Sequence, residues 1–268
     1  ILFWYRKDLR VNDNKALTEA LVLSKAITSV YILDEIYPYD FGSESRSWFL
    51  SESLKELMIN WEKAGSRLII QQGSPIDLIP NLAKKINAKY IAWNKAIEPY
   101  EIKRDAKIKA ELKNSNIEII DLWDHLLINP SEIYTGNNKP YTVYGPFFKK
   151  FKAHLDKINF DNQKDNNFKL EKLKDLKEEL TNSLLIKESN KVFDNFLKNI
   201  KFSGNTICPC RPGEIGAENL LESFSSSNKI TSYHSTRDFP SEEGTSYLSG
   251  SLRFGTISIR RLWEKTLH

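Results

Sequence analysis

Two stretches of this sequence hold residue types that could do chemistry. The first is Gly244-Thr245-Ser246-Tyr247-Leu248-Ser249, which sets three hydroxyl side chains beside a glycine, just before the helical run Gly250–Phe254. Hydroxyls and the free backbone N–H groups of a helix start suit an anion such as a pyrophosphate. The same residues also read as a plain helix start with Ser249 as N-cap. The second stretch, Trp4 to Asn14, crowds Arg6, Lys7 and Arg10 with Asp8 and Asp13. Its residues alone read as a salt-bridged loop ending in an Asp or Asn helix cap. Arg237 follows Tyr233 by one helical turn and precedes Asp238-Phe239-Pro240, which ends the helix. Taken alone, it reads as a solvated or acid-paired cation. Cys208 and Cys210 flank Pro209; two ligands cannot complete a tetrahedral metal site, so this reads as loop. His125, His154, His234 and His268 are scattered and form no cluster.

The elements that must position these residues show two periods. Short apolar runs at Ile1–Tyr5, Ala26–Asp34, Arg67–Gln72, Lys89–Asn94 and Ile117–Leu122 read as buried strands. Between them, Asp13–Leu23, Ser47–Ala64, Pro75–Ile86 and Tyr100–Asn114 carry helical spacing. Strict strand–helix alternation implies right-handed crossovers and an α/β fold: a Rossmann-like five-stranded parallel sheet with its first strand at the centre. Ligands on such sheets sit beyond the carboxyl ends of the strands. No Gly-x-Gly-x-x-Gly follows any strand, so a dinucleotide fingerprint is absent. From Asp124 to about Ser203 the pattern loosens into turn signals, and this stretch reads as a long connection with one or two exposed helices. Helical signals return at Glu214–Phe224, Ile230–Ser235, Tyr247–Phe254 and Ser258–Leu267. The expected division is residues 1–125, an α/β domain; 126–203, a linker with short helices; and 204–268, the start of an all-helical domain.

Composition sets bounds on function. The 268 residues include 40% hydrophobic and 28% charged side chains with a formal net charge of +4, enough apolar content for one large domain or two smaller ones. The slight basic excess is compatible with a polyanionic partner and equally with a lysine-rich surface. All apolar runs are strand-length, which excludes a membrane-spanning helix. Ile1–Tyr5 runs straight into Arg6-Lys7-Asp8, which is not a signal peptide. Two cysteines build no disulfide framework, so the expected location is the reducing cytoplasm. The chain lacks an initial Met and ends within a helical signal, so it reads as a piece of a longer protein.

Four blocks, in order, resemble the photolyase/cryptochrome family. Phe3-Trp4-Tyr5-Arg6-Lys7-Asp8-Leu9-Arg10, with Asp13-Asn14 and Ala16-Leu17, is similar to the family's opening strand and loop. Trp93-Asn94, Glu98-Pro99-Tyr100 and Arg104-Asp105 resemble its fourth strand and following helix. Lys139 to Phe147 resembles the segment leaving the first domain, and Tyr233 to Arg260 the start of the flavin-binding domain. The resemblance is closest to bacterial cyclobutane pyrimidine dimer photolyases. It implies that the full-length protein splits pyrimidine dimers by electron transfer from photoexcited reduced FAD, with dimer-containing DNA as partner and a monomeric state. A cryptochrome-type blue-light photoreceptor is the alternative. It further implies that Tyr233, Thr245, Ser246, Tyr247, Leu248 and Ser249 contact FAD, Tyr247 mainly through its backbone. Arg237 would touch the DNA phosphates, and this contact reads no sequence. A second, light-harvesting chromophore, 8-hydroxy-5-deazaflavin or a reduced folate, would sit near Arg6, Asn94, Tyr100 and Glu101. Tyr100 departs from the Asn typical of the folate type, and the Glu98-Pro99-Tyr100 and Trp123-Asp124 variants look closer to the deazaflavin type. The resemblance supplies no catalytic residue within this chain. Missing flavin-domain helices would leave Leu252, Phe254, Leu262 and Trp263 as exposed apolar surface.

Overall fold

The computed structural model describes residues 1–36, 42–113, 115–157, 173, 184–201, 209–226 and 228–267. Five strands form one parallel sheet: β1 (Leu2–Tyr5), β2 (Thr28–Asp34), β3 (Leu68–Gly73), β4 (Tyr90–Asn94) and β5 (Glu118–Leu122), in the order 3-2-1-4-5. β1 is central, pairing β2 on one side and β4 on the other, each in parallel register. Its four residues are fully buried, as a strand covered on both faces must be.

Four helices make the crossovers: α1 (Lys15–Leu23), α2 (Glu44–Lys63), α3 (Pro75–Lys85) and α4 (Pro99–Leu112). Their starts follow local chemistry. Asn14 caps α1 by accepting from the Leu17 amide, Ser43 caps α2 through Arg46, and α3 and α4 begin on Pro75 and Pro99. Apolar side chains alternate across the sheet into two cores. Phe3, Tyr5, Leu50, Leu54 and Trp61 pack on one face; Leu2, Trp4, Ile79, Trp93 and Ile108 pack on the other. Each such burial contributes about 1.5–3 kcal/mol. Buried Trp61 also donates from Nε1 to the Tyr5 hydroxyl at 3.2 Å.

After β5 come a 3-10 turn at Pro130–Glu132, then α5 (Tyr144–Leu155) and α6 (Leu184–Lys198). The expectation of exposed linker helices fails for α6. Leu185, Ser189 and Phe193 are buried, and the Ile70 amide of β3 donates to Ser189 Oγ at 2.8 Å. α6 therefore covers the β3 margin of the sheet. The part of the expected connection from Asn159 to Leu180 lies outside the described residues, Leu173 excepted; Leu173 is buried and its amide donates to the Ala64 carbonyl.

Helices α7 (Gly213–Ser225), α8 (Lys229–Thr236), α9 (Ser249–Phe254) and α10 (Ile259–Leu267) complete the chain. Each matches an expected helical run. The expected exposure of their apolar side chains is corrected at Phe254, which is 3% exposed and stacks on Phe49 of α2 with centroids 5.2 Å apart. Trp263 packs beside Ile128, Ile133 and Leu155; Leu252 does remain 38% exposed.

Candidate functional site

The chain winds outward from β1 through β2 to β3 on one side, and through β4 to β5 on the other. The segments leaving β1 and β4 therefore diverge at the carboxyl ends of the strands, and a crevice opens between them. A cavity of about 860 Å³ lies there, within the size range of cofactor sites. Arg6 and Lys7 after β1, and Ala96, Ile97 and Glu98 after β4, form its floor. Tyr141, Phe147 and Phe151 give it an aromatic wall, and Leu252, Arg253 and Ile259 close it from the helical region.

Its charged rim is held by paired ions. Lys7 Nζ lies 2.8 Å from Glu98 and 3.1 Å from Glu101, and Arg253 reaches Glu98 at 2.5 Å. Burial opposes ionisation of Glu98, but hydrogen bonds from Lys7 and Arg253 hold its carboxyl below the ordinary range. Arg6 donates to Asp105 at 2.6 Å, one turn beyond Glu101 on α4. Its guanidinium and that of Arg104 both rest on the Trp4 indole, at 4.9 and 4.7 Å. The second terminal nitrogen of Arg6, Nη2, is buried with no hydrogen-bond partner. An unmet donor on a buried cation is costly. His125 also lines the cavity. Burial holds its imidazole below the ordinary pKa, although Asp8 and Asp124 pull the other way.

The loop after β1 has a second duty as the socket for the helical region. Leu9 N–H donates to the Phe254 carbonyl and Arg10 to the Gly255 carbonyl. Arg10 pairs with Asp124 at 2.5 Å, and Arg260 spans Asp13 and Asp124 at 2.9 and 2.7 Å. Glu214 accepts from the backbone of Val11 and Asn12 at 3.0 Å each. Burial disfavours the Asp124 carboxylate, yet attraction to Arg10 and Arg260 holds its pKa far below normal. Gly255 is required where it stands: its φ is +65°, and a Cβ there would strike the Lys7 backbone.

The expected site residues divide. Arg6 and Glu101 line the cavity. Asn94 is fully buried and spends its amide on Asp8, Asn14 and the Ala16 N–H, so it braces the socket. The Tyr100 hydroxyl donates to Asp34 at 3.3 Å and is not part of the cavity lining. In the helical region, Leu248, rather than Ser249, occupies the cap of α9, and Ser249 is its first residue and borders the cavity. Leu248 is 2% exposed and packs with Ala217, Leu221 and Ile257, which leaves its backbone as the part able to meet a ligand. Tyr247 has φ +55° and Leu248 φ −85°, a pair of opposite hand of the kind that cradles anions. Thr245 and Ser246 are half-buried beside it. Tyr233 is 41% exposed and meets Phe224 edge-on, and Arg237 lies 5.8 Å over the Tyr233 ring and 3.6 Å from Asp238. Cys208 lies outside the described residues, and Cys210 packs partly buried against the core. Among the described residues no acidic, histidine or cysteine cluster could hold a metal ion, and no helix is long and apolar enough to cross a membrane.

Sequence reasoning passed over Lys7, His125, Tyr141, Phe147, Phe151 and Arg253 as cavity residues. The signal available was the i, i+4 spacing of Phe147 and Phe151, which puts both rings on one helical face.

A family model described as DNA photolyase matches residues 1–166. The chain belongs to the DNA photolyase family. It is 37% identical to a deoxyribodipyrimidine photo-lyase of Synechococcus sp. (strain ATCC 27144) over 98% of its own length and 53% of that protein's. It is 32% identical to an uncharacterized 31.6 kDa protein of Synechococcus sp. (strain PCC 6716), over 98% of this chain and 87% of that one. Its fold is similar to the crystal structure of a bacterial class III photolyase from Agrobacterium tumefaciens, with TM-score 0.76 and 26% identity, covering 98% of this chain and 52% of that one. The chain thus spans about half the length of the photolyases it matches.

Proposed function

We propose that this chain is the light-harvesting half of a photolyase that splits cyclobutane pyrimidine dimers in DNA. The observation that carries the reading is the cavity at the switch point of the sheet, with Arg6 and Lys7 on its floor and Tyr141, Phe147 and Phe151 as its aromatic wall. A planar chromophore with a polar edge, a deazaflavin or a reduced folate, fits that chemistry. Tyr141, Phe147 and Phe151 would sandwich its ring system and exclude water, and Arg6 would bring positive charge to the cavity floor. Lys7 and Arg253, fixed by Glu98, would set the charge around it.

The hydroxyls of Thr245 and Ser246 and the backbone at Tyr247 and Leu248 fit one phosphate of FAD, with Ser249 and Tyr233 bordering the same ligand. When bound, the antenna supplies light capture and FAD supplies the electron that opens the dimer. This chain's own residues orient those groups, and exposed Arg237 would hold a DNA phosphate. Extruding the dimer from the duplex is the general requirement for reaching a buried flavin.

Titration of residues 1–268 with 8-hydroxy-5-deazaflavin and with 5,10-methenyltetrahydrofolate, followed by chromophore absorbance, tests the reading. Arg6→Ala should weaken binding of whichever binds by about tenfold, through loss of its positive charge at the cavity floor. Failure of both chromophores to bind, or an unchanged affinity in Arg6→Ala, would overturn it.

A further inference from the structure

Helix α5 presents two aromatic faces. Phe147 and Phe151 turn inward to the cavity, but Tyr144 and Phe148, also four residues apart, turn outward. Tyr144 is 73% exposed and Phe148 47% exposed, and their rings stack with centroids 5.7 Å apart and planes 19° from parallel. Val143, just before them, is 62% exposed. The inner rings have partners in Ile128, Ile133 and Leu155; the outer pair faces solvent. Two stacked rings held open to water form a flat apolar platform that a planar partner could extend.

The charge around the platform indicates the partner's class. From Lys139 to Lys157 the sequence holds five lysines and one acid, Asp156. Lys149, Lys150 and Lys152 are exposed on α5 itself, which contains no acidic residue. Glu132, the nearby acid on the preceding turn, is taken up by His154 at 2.8 Å. Flat rings interleaved with lysines match a polyanion whose units have π-faces. Aromatic rings stack on successive bases while cations follow the backbone, and neither contact depends on base identity. A duplex hides those faces inside its stack, so the rings would favour a single strand.

The geometry points to the outer face of α5 as a binding surface for single-stranded nucleic acid, with bases on Tyr144 and Phe148 and phosphates on the flanking Lys149 and Lys152. This surface lies on a different element from Arg237 and does not depend on either chromophore.

Fluorescence anisotropy of residues 1–268 with a labelled oligothymidylate of about twelve nucleotides, across a salt series, tests the assignment. Two lysine–phosphate contacts predict a log–log salt slope of about −1.4. Tyr144→Ala with Phe148→Ala should weaken binding about tenfold or more at an unchanged slope, whereas Tyr144→Phe should bind like the parent. Replacing Lys149 and Lys152 with Gln should flatten the slope towards zero, and Lys150→Gln alone should leave it nearly unchanged. Circular dichroism would confirm that these surface variants keep their helix content. The assignment is overturned by no binding, by equal binding of a duplex of the same length, or by full binding in the double alanine variant. It is also overturned by a self-associating chain whose dimer the double alanine variant abolishes with no oligonucleotide bound, which would give the rings to a second copy.

Discussion

The sheet region and the helical region hold themselves together by different means. Around the sheet, two large apolar clusters sit on opposite faces and include Trp4, Trp61 and Trp93, all buried. In the helical region, the buried cluster comprises Ala217, Leu221, Leu248 and Ile257, too little to stand alone. What fixes that region is the socket after β1, where Arg10, Asp13, Asp124, Arg260 and Glu214 meet backbone and one another. Apolar burial tolerates small shifts, whereas an ionic clamp in a dry site depends on every partner. The sheet should therefore survive loss of the helical region, and the reverse should not hold.

Asp124→Ala should have the largest effect, since it leaves Arg10 and Arg260 buried with a partner lost. A cost of about 3–5 kcal/mol is expected. Hydrogen exchange should show protection falling in residues 213–267 while residues 1–122 keep theirs. Uniform loss across both regions would erase the contrast. Gly255→Val should follow at about 1–3 kcal/mol, from the positive φ and the collision with Lys7, again confined to the helical region by hydrogen exchange. Acid should act in the same place. The Asp124 pKa is lower folded than its ordinary 3.8, so its contribution is fully present above that value and is lost as the pH falls below about 4. Proteolysis within residues 213–267 should accelerate below that pH, and less so in Asp124→Asn. The smallest effect is expected of Glu214→Gln, about 1 kcal/mol at neutral pH. Burial raises the Glu214 pKa against the pull of its hydrogen bonds, so its charge adds little, but both oxygens accept N–H groups from Val11 and Asn12 and the NH2 of Gln would leave one of them without an acceptor. Thermal melts at pH 7 would measure it.

Much of the sheet was legible because its signals are local. Strand-length apolar runs, the Asn14 cap and the prolines opening α3 and α4 each lie within a few residues of what they determine. The four helices after residue 212 were legible for the same reason, with α9 displaced by two residues because Leu248 prefers the core to the helix. The clamp was not legible. Arg10 and Arg260 converge on Asp124 from positions 250 residues apart, and charged residues at such separation leave no period to detect. The partners of Asn94 were hidden for a related reason: its place at a strand end shows in the sequence, but its bonds to Asp8 and Asn14 join residues 86 and 80 positions apart. α5 was masked by Gly145-Pro146, which resembles a turn yet falls in the first turn of the helix, where Pro is tolerated.

The covering of the β3 margin by α6 has a consequence for synthesis. The Ile70 amide bonds to Ser189, 119 residues later in the chain. At roughly 5–20 residues per second, a ribosome takes roughly 6–24 s to make that stretch. For that time a nascent sheet would present its outer strand bare, and a bare strand edge can pair with a neighbouring chain. The newborn protein would then be most prone to aggregate in the interval before residue 189 leaves the exit tunnel. Codons that slow translation between residues 73 and 189 would lengthen that exposure without changing a single amino acid.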